Sequence, residues 1–301
     1  MKWIKITDEC SYFSGAVNIG YIEKKDKGLL IDAGIDDSTA KKVLKQLKEK
    51  GKPITTLFIT HAHTDHFGGA AYLQKHIPHL KTFAPVFEES ILRNPRLEPI
   101  SLFQGNEPLS SLRNKFLEGP SIKVDVTCEH GEMQMDGFNV YLHALPGHSY
   151  NQFGLQFDQI LYAADSYVSV ETLKKHAIPF LVDGLTAKQS FEKLLHLPVA
   201  GAVPGHGYYE EDYKKTVREN VRHHNEILQD IRECVNADGC IAQDDLLQNV
   251  FNKRGIILNQ LSMYVLNRTA LLAYVTELVK EGKIEFYMKE NKIWVKQGDK
   301  D

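Results

Sequence analysis

Cysteine is scarce in this chain. The four residues present, Cys10, Cys128, Cys234 and Cys240, include no Cys-x-x-Cys pair. That argues against a disulfide framework, and reduced thiols are the expectation, with a Cys234–Cys240 bridge the less favoured alternative. No run approaches the ~20 consecutive apolar residues that cross a bilayer. Met1-Lys2-Trp3-Ile4-Lys5 is basic but lacks the apolar core of a signal peptide. A cytoplasmic protein without membrane contact is therefore expected. Charge of one sign is missing too: 36 Lys and Arg face 39 Asp and Glu, for a net charge of −3. General affinity for nucleic acid needs a concentrated basic face, which this balance does not suggest. Hydrophobic content of 43% and charged content of 25% are ordinary for a globular protein. The 301 residues accommodate one large domain and a small one.

The chain does concentrate histidine and aspartate at the ends of apolar runs. His61-Ala-His63-Thr-Asp65-His66 follows the run 54–60 and precedes Gly68-Gly69. On a locally extended loop His61 and His63 point the same way and can share one ion. Asp65 and His66 leave the following turn, where they can reach a second. Neutral imidazoles and a carboxylate suit a borderline divalent metal such as zinc, with manganese or iron also compatible. The same placement recurs downstream. Pro146-Gly147-His148-Ser149 follows the run 140–145, Asp165 follows 160–164, and Pro204-Gly205-His206-Gly207 follows 199–203. Ligand residues recurring at strand ends are how a layered fold assembles one site from distant sequence.

The ordered set HAHTDH, PGHS, AADS and PGHG, with Ile31-Asp32-Ala33-Gly34 before it, resembles the metallo-β-lactamase superfamily of metal-dependent hydrolases. The resemblance covers roughly residues 10 to 210. Ser149 and Ser166 stand where Thr is frequent in that superfamily, and both keep the hydroxyl. An aspartate in the bridging position and no ligating cysteine resemble the glyoxalase II, lactonase and ribonuclease branches more than the antibiotic-degrading enzymes.

The resemblance implies an α/β (α+β) fold, a four-layer αββα sandwich with the metals at one edge. It assigns His61, His63 and His148 to one divalent ion and Asp65, His66 and His206 to the other, with Asp165 bridging. Two such ions lower the pKa of water to ~7, trap a hydroxide and polarise the substrate oxygen. Asp65 would orient that nucleophile, and Asp165 would relay a proton to the leaving group. Asp32, Thr60 and Ser149 are candidates to steady the ligands from outside. The remaining histidines, His76, His79, His130, His143, His196, His223 and His224, lack partner motifs and read as structural. His176, Tyr150, Tyr167, Tyr208 and Tyr209 flank ligand segments. A tyrosine there would donate to a developing oxyanion, with ordinary packing the alternative.

The pattern predicts a hairpin over 16–32 with Lys24-Lys25-Asp26-Lys27 at its turn, then a helix over 39–50 capped by Asp37-Ser38. A strand over 54–60, a helix over 69–76, and strands at 124–126, around Met133 and over 140–145 follow. Helices are expected over 186–195 and 212–235. Residues 85–120 carry five prolines yet many apolar side chains, and read as a helical insertion or lid. Domain boundaries are expected at 1–210 for the catalytic part and 211–301 for a helical linker and a small C-terminal domain. Helices at 244–253, 259–266 and 268–280 and a hairpin over 283–295 make that last unit winged-helix-like. Charge in it is nearly balanced and its third helix is mostly apolar, so packing or homodimerisation is favoured over nucleic-acid binding.

Together these readings point to a dinuclear hydrolase acting on a small thioester, ester or lactone. A phosphodiesterase or ribonuclease using the same two metals is the alternative, weakened by the missing basic channel. The C-terminal part shows no recognisable glutathione-binding pattern. A metal-bearing scaffold protein is the non-enzymatic alternative, and flavodiiron-type chemistry would need a flavodoxin-like domain.

Overall fold

The computed structural model describes residues 1–298; residues 299–301, the end of the expected C-terminal unit, lie outside the described part. Two sheets stack face to face. The first orders β1 (Lys2–Lys5), β2 (Cys10–Ser14), β3 (Ile19–Lys24), β4 (Lys27–Ile31), β5 (Thr56–Phe58), β6 (Lys81–Pro85) and β7 (Val126–Cys128). Pairing is antiparallel through β4 and parallel from β4 to β7. The second sheet comprises β8 (Gly131–Met135), β9 (Phe138–Ala144), β10 (Phe153–Phe157), β11 (Ile160–Ala164) and β12 (Gly201–Pro204), antiparallel except for the parallel β11–β12 edge.

Strand alternation sorts the apolar residues into layers. Tyr21, Leu30 and Leu57 face outward onto α1 (Asp37–Glu49) and α3 (Ala70–His76), which present Val43, Leu47 and Leu73. Ile22, Leu29 and Phe58 face inward and meet Phe138, Leu142 and Leu155 of the second sheet. Leu161 and Ala163 of β11 face the other way, onto Phe191 and Leu194 of α7 (Gly184–His196) and Val217 of α8 (Tyr213–Asp238). The result is helix, sheet, sheet, helix, as expected from the sequence. The cap of α1 differs by one residue: Asp36, not Asp37, accepts from Thr39 N–H at 3.0 Å.

The short α2 (Thr64–Phe67) continues the histidine motif, and α6 (Val170–Lys175) follows the aspartate loop. The insertion folds as α4 (Glu88–Arg93), α5 (Leu97–Leu102) and a 3-10 turn at Ser110–Leu112. Beyond α8 come β13 (Cys240–Ala242), α9 (Gln243–Lys253), α10 (Leu261–Lys280) and the hairpin β14 (Ile284–Lys289) and β15 (Lys292–Gln297). The three strands form their own sheet in the order β13-β15-β14. Glu290 and Asn291 take left-handed φ of 52° and 59° at the hairpin turn, as a tight two-residue connection requires.

Two expectations for this unit are corrected. Helices at 259–266 and 268–280 are one continuous helix, α10. Asn267, where a break was expected, donates its side-chain amide to Met263 C=O at 2.9 Å, so it serves its own helix instead of ending it. Strand β13 was not foreseen, because three residues are too few to show an alternation. No disulfide forms among the described residues, and no helix there is long and apolar enough to cross a membrane.

Helices α8 and α10 are joined by a buried pair: His224 Nε2 lies 2.6 Å from Glu277 Oε2, and both side chains are shielded from water. Removing one member of such a pair leaves an uncompensated buried group, whereas replacing both by apolar residues does not. Glu277→Ala should therefore lower unfolding free energy by about 3 kcal/mol in urea titrations, and His224→Leu/Glu277→Leu should recover most of it. A single variant as stable as the parent would remove this pair from the packing argument.

Candidate metal centre

Each ligand-bearing loop leaves the carboxyl end of a strand. Asp32 follows β4, His61 to His66 follow β5, Glu88 follows β6, His148 follows β9, Asp165 follows β11 and His206 follows β12. Local backbone aims two of them. Asp32 and Ala164 are held at φ of 66° and 50°, strained for residues with a Cβ, and β11 has a register shift between Tyr162 and Ala164. Strain of this kind persists only where the surroundings enforce it. Gly205 stands so close to Asp165 Oδ1 that a Cβ would strike it.

All seven ligand candidates meet in space. His61, His63 and His148 form one group, His61, His66 and Asp165 a second, and Asp65, His66 and His206 a third. In each the ligand atoms lie within 4.8 Å of one another. Asp165 stands between them: Oδ2 is 3.3 Å from both His148 Nε2 and His206 Nε2, and Oδ1 is 3.4 Å from His66 Nε2. His63 turns Nδ1 inward, 2.8 Å from His148 Nε2.

The outer nitrogen of the other four imidazoles is tied to the protein. His66 Nδ1 lies 2.7 Å from Asp32 Oδ2. His148 Nδ1 lies 3.0 Å from Phe180 C=O, and His206 Nδ1 lies 2.7 Å from Ala16 C=O. His61 Nδ1 lies 3.0 Å from Thr60 Oγ1, whose hydroxyl reaches Asp32 at 2.9 Å. An acceptor on Nδ1 fixes the proton there and leaves an Nε2 lone pair facing the cluster. Correspondingly, His61 Nε2, His66 Nε2 and Asp165 Oδ1 are buried without hydrogen-bond partners. Buried polar atoms are seldom left so. The donor set, its convergence and these orphaned atoms fit divalent cations.

Electrostatics divides the cluster. Burial, then neighbouring imidazole charge, keeps His61 well below its usual pKa and His63 at about 3, and burial lowers His148. Those three are neutral, as ligands must be. In the other half the carboxylates act on the imidazoles. Asp165 first, then Asp65, raise His206 to about 10, and burial of His66 is outweighed by Asp165, Asp32 and Asp65. Burial resists ionisation of Asp65, yet His66 and His206 bring it down to about 2.

The family model described as Metallo-beta-lactamase superfamily matches residues 13–219. The chain belongs to that superfamily. A Hydroxyacylglutathione hydrolase of Photobacterium profundum is 26% identical over 166 residues, covering 54% of this chain and 52% of its own length. The Lactamase-like protein adaB of Aspergillus niger is 25% identical over 199 residues, covering 65% and 51%. The chain thus spans about half the length of these curated relatives. Among solved structures, a beta-lactamase domain protein from Burkholderia ambifaria superposes with TM-score 0.75 at 13% identity, covering 99% of this chain and 95% of the other. A metallo-beta-lactamase family protein from Thermus thermophilus gives 0.69 at 18%, covering 92% and 93%. These two likenesses concern the fold alone.

Three residues that support this metallo-β-lactamase centre escaped the sequence reading. Asn18 donates its side-chain amide to Pro204 and Gly207 C=O at 2.8 and 2.9 Å, clamping the His206 loop. Gln152 Nε2 donates to Leu145 C=O at 3.2 Å, and its Oε1 accepts from Asp165 N–H at 3.3 Å. Glu88, fully buried, accepts from Ala62 N–H at 2.9 Å, from Asn151 N–H at 2.7 Å and from the Ser149 hydroxyl. It thereby ties the His61–His63 loop to the His148 loop, and Ser149 steadies its loop by donating to it. Phe87 before it sits at φ 73°. Burial raises the Glu88 pKa while Ser149, Asn151 and Ala62 pull it down. One of several glutamates in a proline-rich stretch gave no signal for any of this.

Glu98 of α5 also comes close, with Oε1 4.0 Å from His63 Nε2; burial and then the charge of Glu88 push its pKa to about 7. Of the flanking residues, Tyr167 and His176 line the adjoining cavity, whereas Tyr150, Tyr208 and Tyr209 do not. Tyr150 instead contacts Ser101 Oγ at 2.9 Å and Tyr208 is largely exposed. His223 and His224 line the cavity too but join none of the groups able to hold an ion.

Glu88→Gln turns one acceptor oxygen into a donor facing N–H or O–H groups. Loss of outer support for ligands typically costs 10- to 100-fold in metal affinity. Chelator competition should therefore show zinc held roughly tenfold or more weakly in Glu88→Gln. Unchanged affinity would mean that Glu88 has no hold on the ligand loops.

Proposed function

We propose that this chain is a dinuclear metal-dependent hydrolase cleaving a small thioester, ester or lactone. The observation that carries this reading is Asp165, whose carboxylate faces imidazoles of both halves of a converging seven-residue cluster beside a cavity of about 1010 Å³. His61, His63 and His148 would hold one divalent ion, Asp65, His66 and His206 the other, with Asp165 shared. Zinc suits this mixture of imidazole and carboxylate best, and manganese or iron also fit it. Two such ions supply Lewis acidity that brings water's pKa to ~7 and polarises a carbonyl oxygen.

The chain's own groups do the rest. Asp65 lines the cavity, accepts a hydrogen bond from the attacking water and so orients it. Oxygen of that water joins the acyl carbon as the C–S or C–O bond breaks. The released proton passes to the departing thiolate or alkoxide, a relay for which Asp165 is the candidate, so one water is consumed per bond cleaved. Tyr167, whose buried hydroxyl has no hydrogen-bond partner, lines the same cavity and is a candidate donor to the substrate oxygen.

The catalytic part would span 1–210 and the terminal unit 211–301. The order α8-β13-α9-α10-β14-β15, with β15 in the middle of its sheet, favours a winged-helix-like module and keeps a phosphodiesterase reading in view. Against that reading, the helix that would enter a groove, α10, buries Val265, Ala270, Leu271 and Tyr274 instead of presenting a basic face.

Metal-replete protein assayed on a glutathione thioester, an acyl lactone, a phosphodiester and a β-lactam should turn over the thioester or the lactone. Asp165→Ala should lose at least about a hundredfold in kcat/KM. Turnover confined to the phosphodiester would replace this reading with the alternative. His206→Ala should bring metal content, measured by elemental analysis, from two ions per chain toward one; equal loss of both would contradict the division of ligands.

A further inference from the structure

We propose that the cavity beside the metal centre is an acyl pocket completed by α10, so that the substrate carries a long apolar acyl chain. This rests on the hydrolase reading above and narrows it. At about 1010 Å³ the cavity is at the upper end of small-molecule sites, which run to ~1,000 Å³. One wall holds His63, Asp65, His148, Asp165 and His206.

Another wall is one stripe of α10. Met263, Leu266, Asn267, Ala270 and Tyr274 line the cavity, at offsets of three, four, seven and eleven residues from the first. That spacing is a single helical face. Leu271, Val275 and Leu278 of the same helix lie in the core of the terminal unit, and Val265 packs with Leu102, Leu112 and Leu117 of the insertion. Of the stripe, Ala270 and Tyr274 are also buried in the terminal core and Leu266 packs beside the insertion, while Met263 is exposed, so the open part of this wall is its Met263–Leu266–Asn267 end. Phe180 connects the two walls. Its ring lies 5.4 Å from that of His63 and 5.9 Å from that of His148 between centroids, and it packs against both the terminal core and the insertion.

Most of the charged and imidazole side chains near α10 have a protein partner, although Tyr167 Oη, His224 Nδ1 and Arg254 Nε have none. His224 is bound to Glu277, and His223 Nε2 lies 3.1 Å from Ala177 C=O. Arg254 donates to that carbonyl at 2.9 Å and lies 2.6 Å from Asp230. What α10 leaves open to a ligand is mainly the apolar side chains of Met263 and Leu266, beside Asn267, whose amide is donated to Met263 C=O. A polyanion needs cations along its length, and this stripe supplies none. Lys174 and Lys175, exposed in the last turn of α6, are the cavity's lysines. Apolar Phe116 and Ile257 line the cavity although they are 66% and 82% exposed, so its apolar character extends to the rim.

The test uses the full chain loaded with zinc and N-acetylcysteamine thioesters of acetyl, hexanoyl and decanoyl groups. We expect kcat/KM for decanoyl to exceed that for acetyl at least tenfold, since each buried methylene contributes to binding. Leu266→Trp, which fills the channel, and Met263→Asp, on a partly exposed turn that tolerates a charge, should each cut the decanoyl-to-acetyl ratio at least tenfold with metal content unchanged. Calorimetric binding of decanoate against butyrate gives a readout independent of turnover, with the same tenfold preference expected and lost in both variants. Turnover without chain-length preference, or a ratio untouched in both variants, overturns the acyl pocket and leaves the hydrolase reading standing. Decanoate preference lost in the variants, with no thioester cleaved, supports the pocket and overturns the hydrolase reading. Neither turnover nor decanoate binding overturns both.

Discussion

Crowding seven imidazoles and carboxylates into one corner, with His61, His66 and Asp165 buried, is the constraint on which the rest of this structure depends. Such groups are costly away from water unless each is hydrogen-bonded or paired. The protein meets the cost from outside the cluster. Asp32, Thr60, Ala16 and Phe180 each hold the outer nitrogen of an imidazole, while Asn18, Gln152 and Glu88 hold the loops that carry them. Asp32, Thr60, Glu88, Gln152 and Phe180 sit on separate segments, and Ala16 and Asn18 share the loop between β2 and β3. The centre therefore exists only when both sheets are formed and stacked, and the layered core is what makes the chemistry available.

A second consequence is the use of chain that contributes no ligand. The insertion sends Glu88 into the gap between two ligand loops and Glu98 to within 4.0 Å of His63. The terminal unit buries one side of α10 in its own core and lends another to the cavity wall. Phe180 touches the rings of His63 and His148 and packs on both of these additions. Phe180 thus links the candidate ligands to both additions of the chain.

Much of this was legible in the residues. The ligands follow apolar runs, and a strand buried on both faces has to be such a run. The charged run Lys24-Lys25-Asp26-Lys27 and the pair Glu290-Asn291 marked the two hairpin turns, where Lys25, Glu290 and Asn291 take φ above zero. Long-range pairs were not legible. Glu88 and Ser149 are 61 residues apart, and nothing local marks either as the other's partner. Asn267 fell between two expected helices, and only the formed helix shows its side-chain amide satisfied at Met263 C=O.

By itself, then, the sequence determined which side chains are suited to hold cations and that they stand at strand ends, because ligand chemistry and hydrophobic period are properties of residues and of short segments. Which imidazole nitrogen faces the centre, which carboxylate lies between its halves, and which helix lines the pocket were decided only by tertiary structure. Those depend on the distance between segments far apart in the chain, and that distance is set by how the two sheets, the insertion and α10 pack.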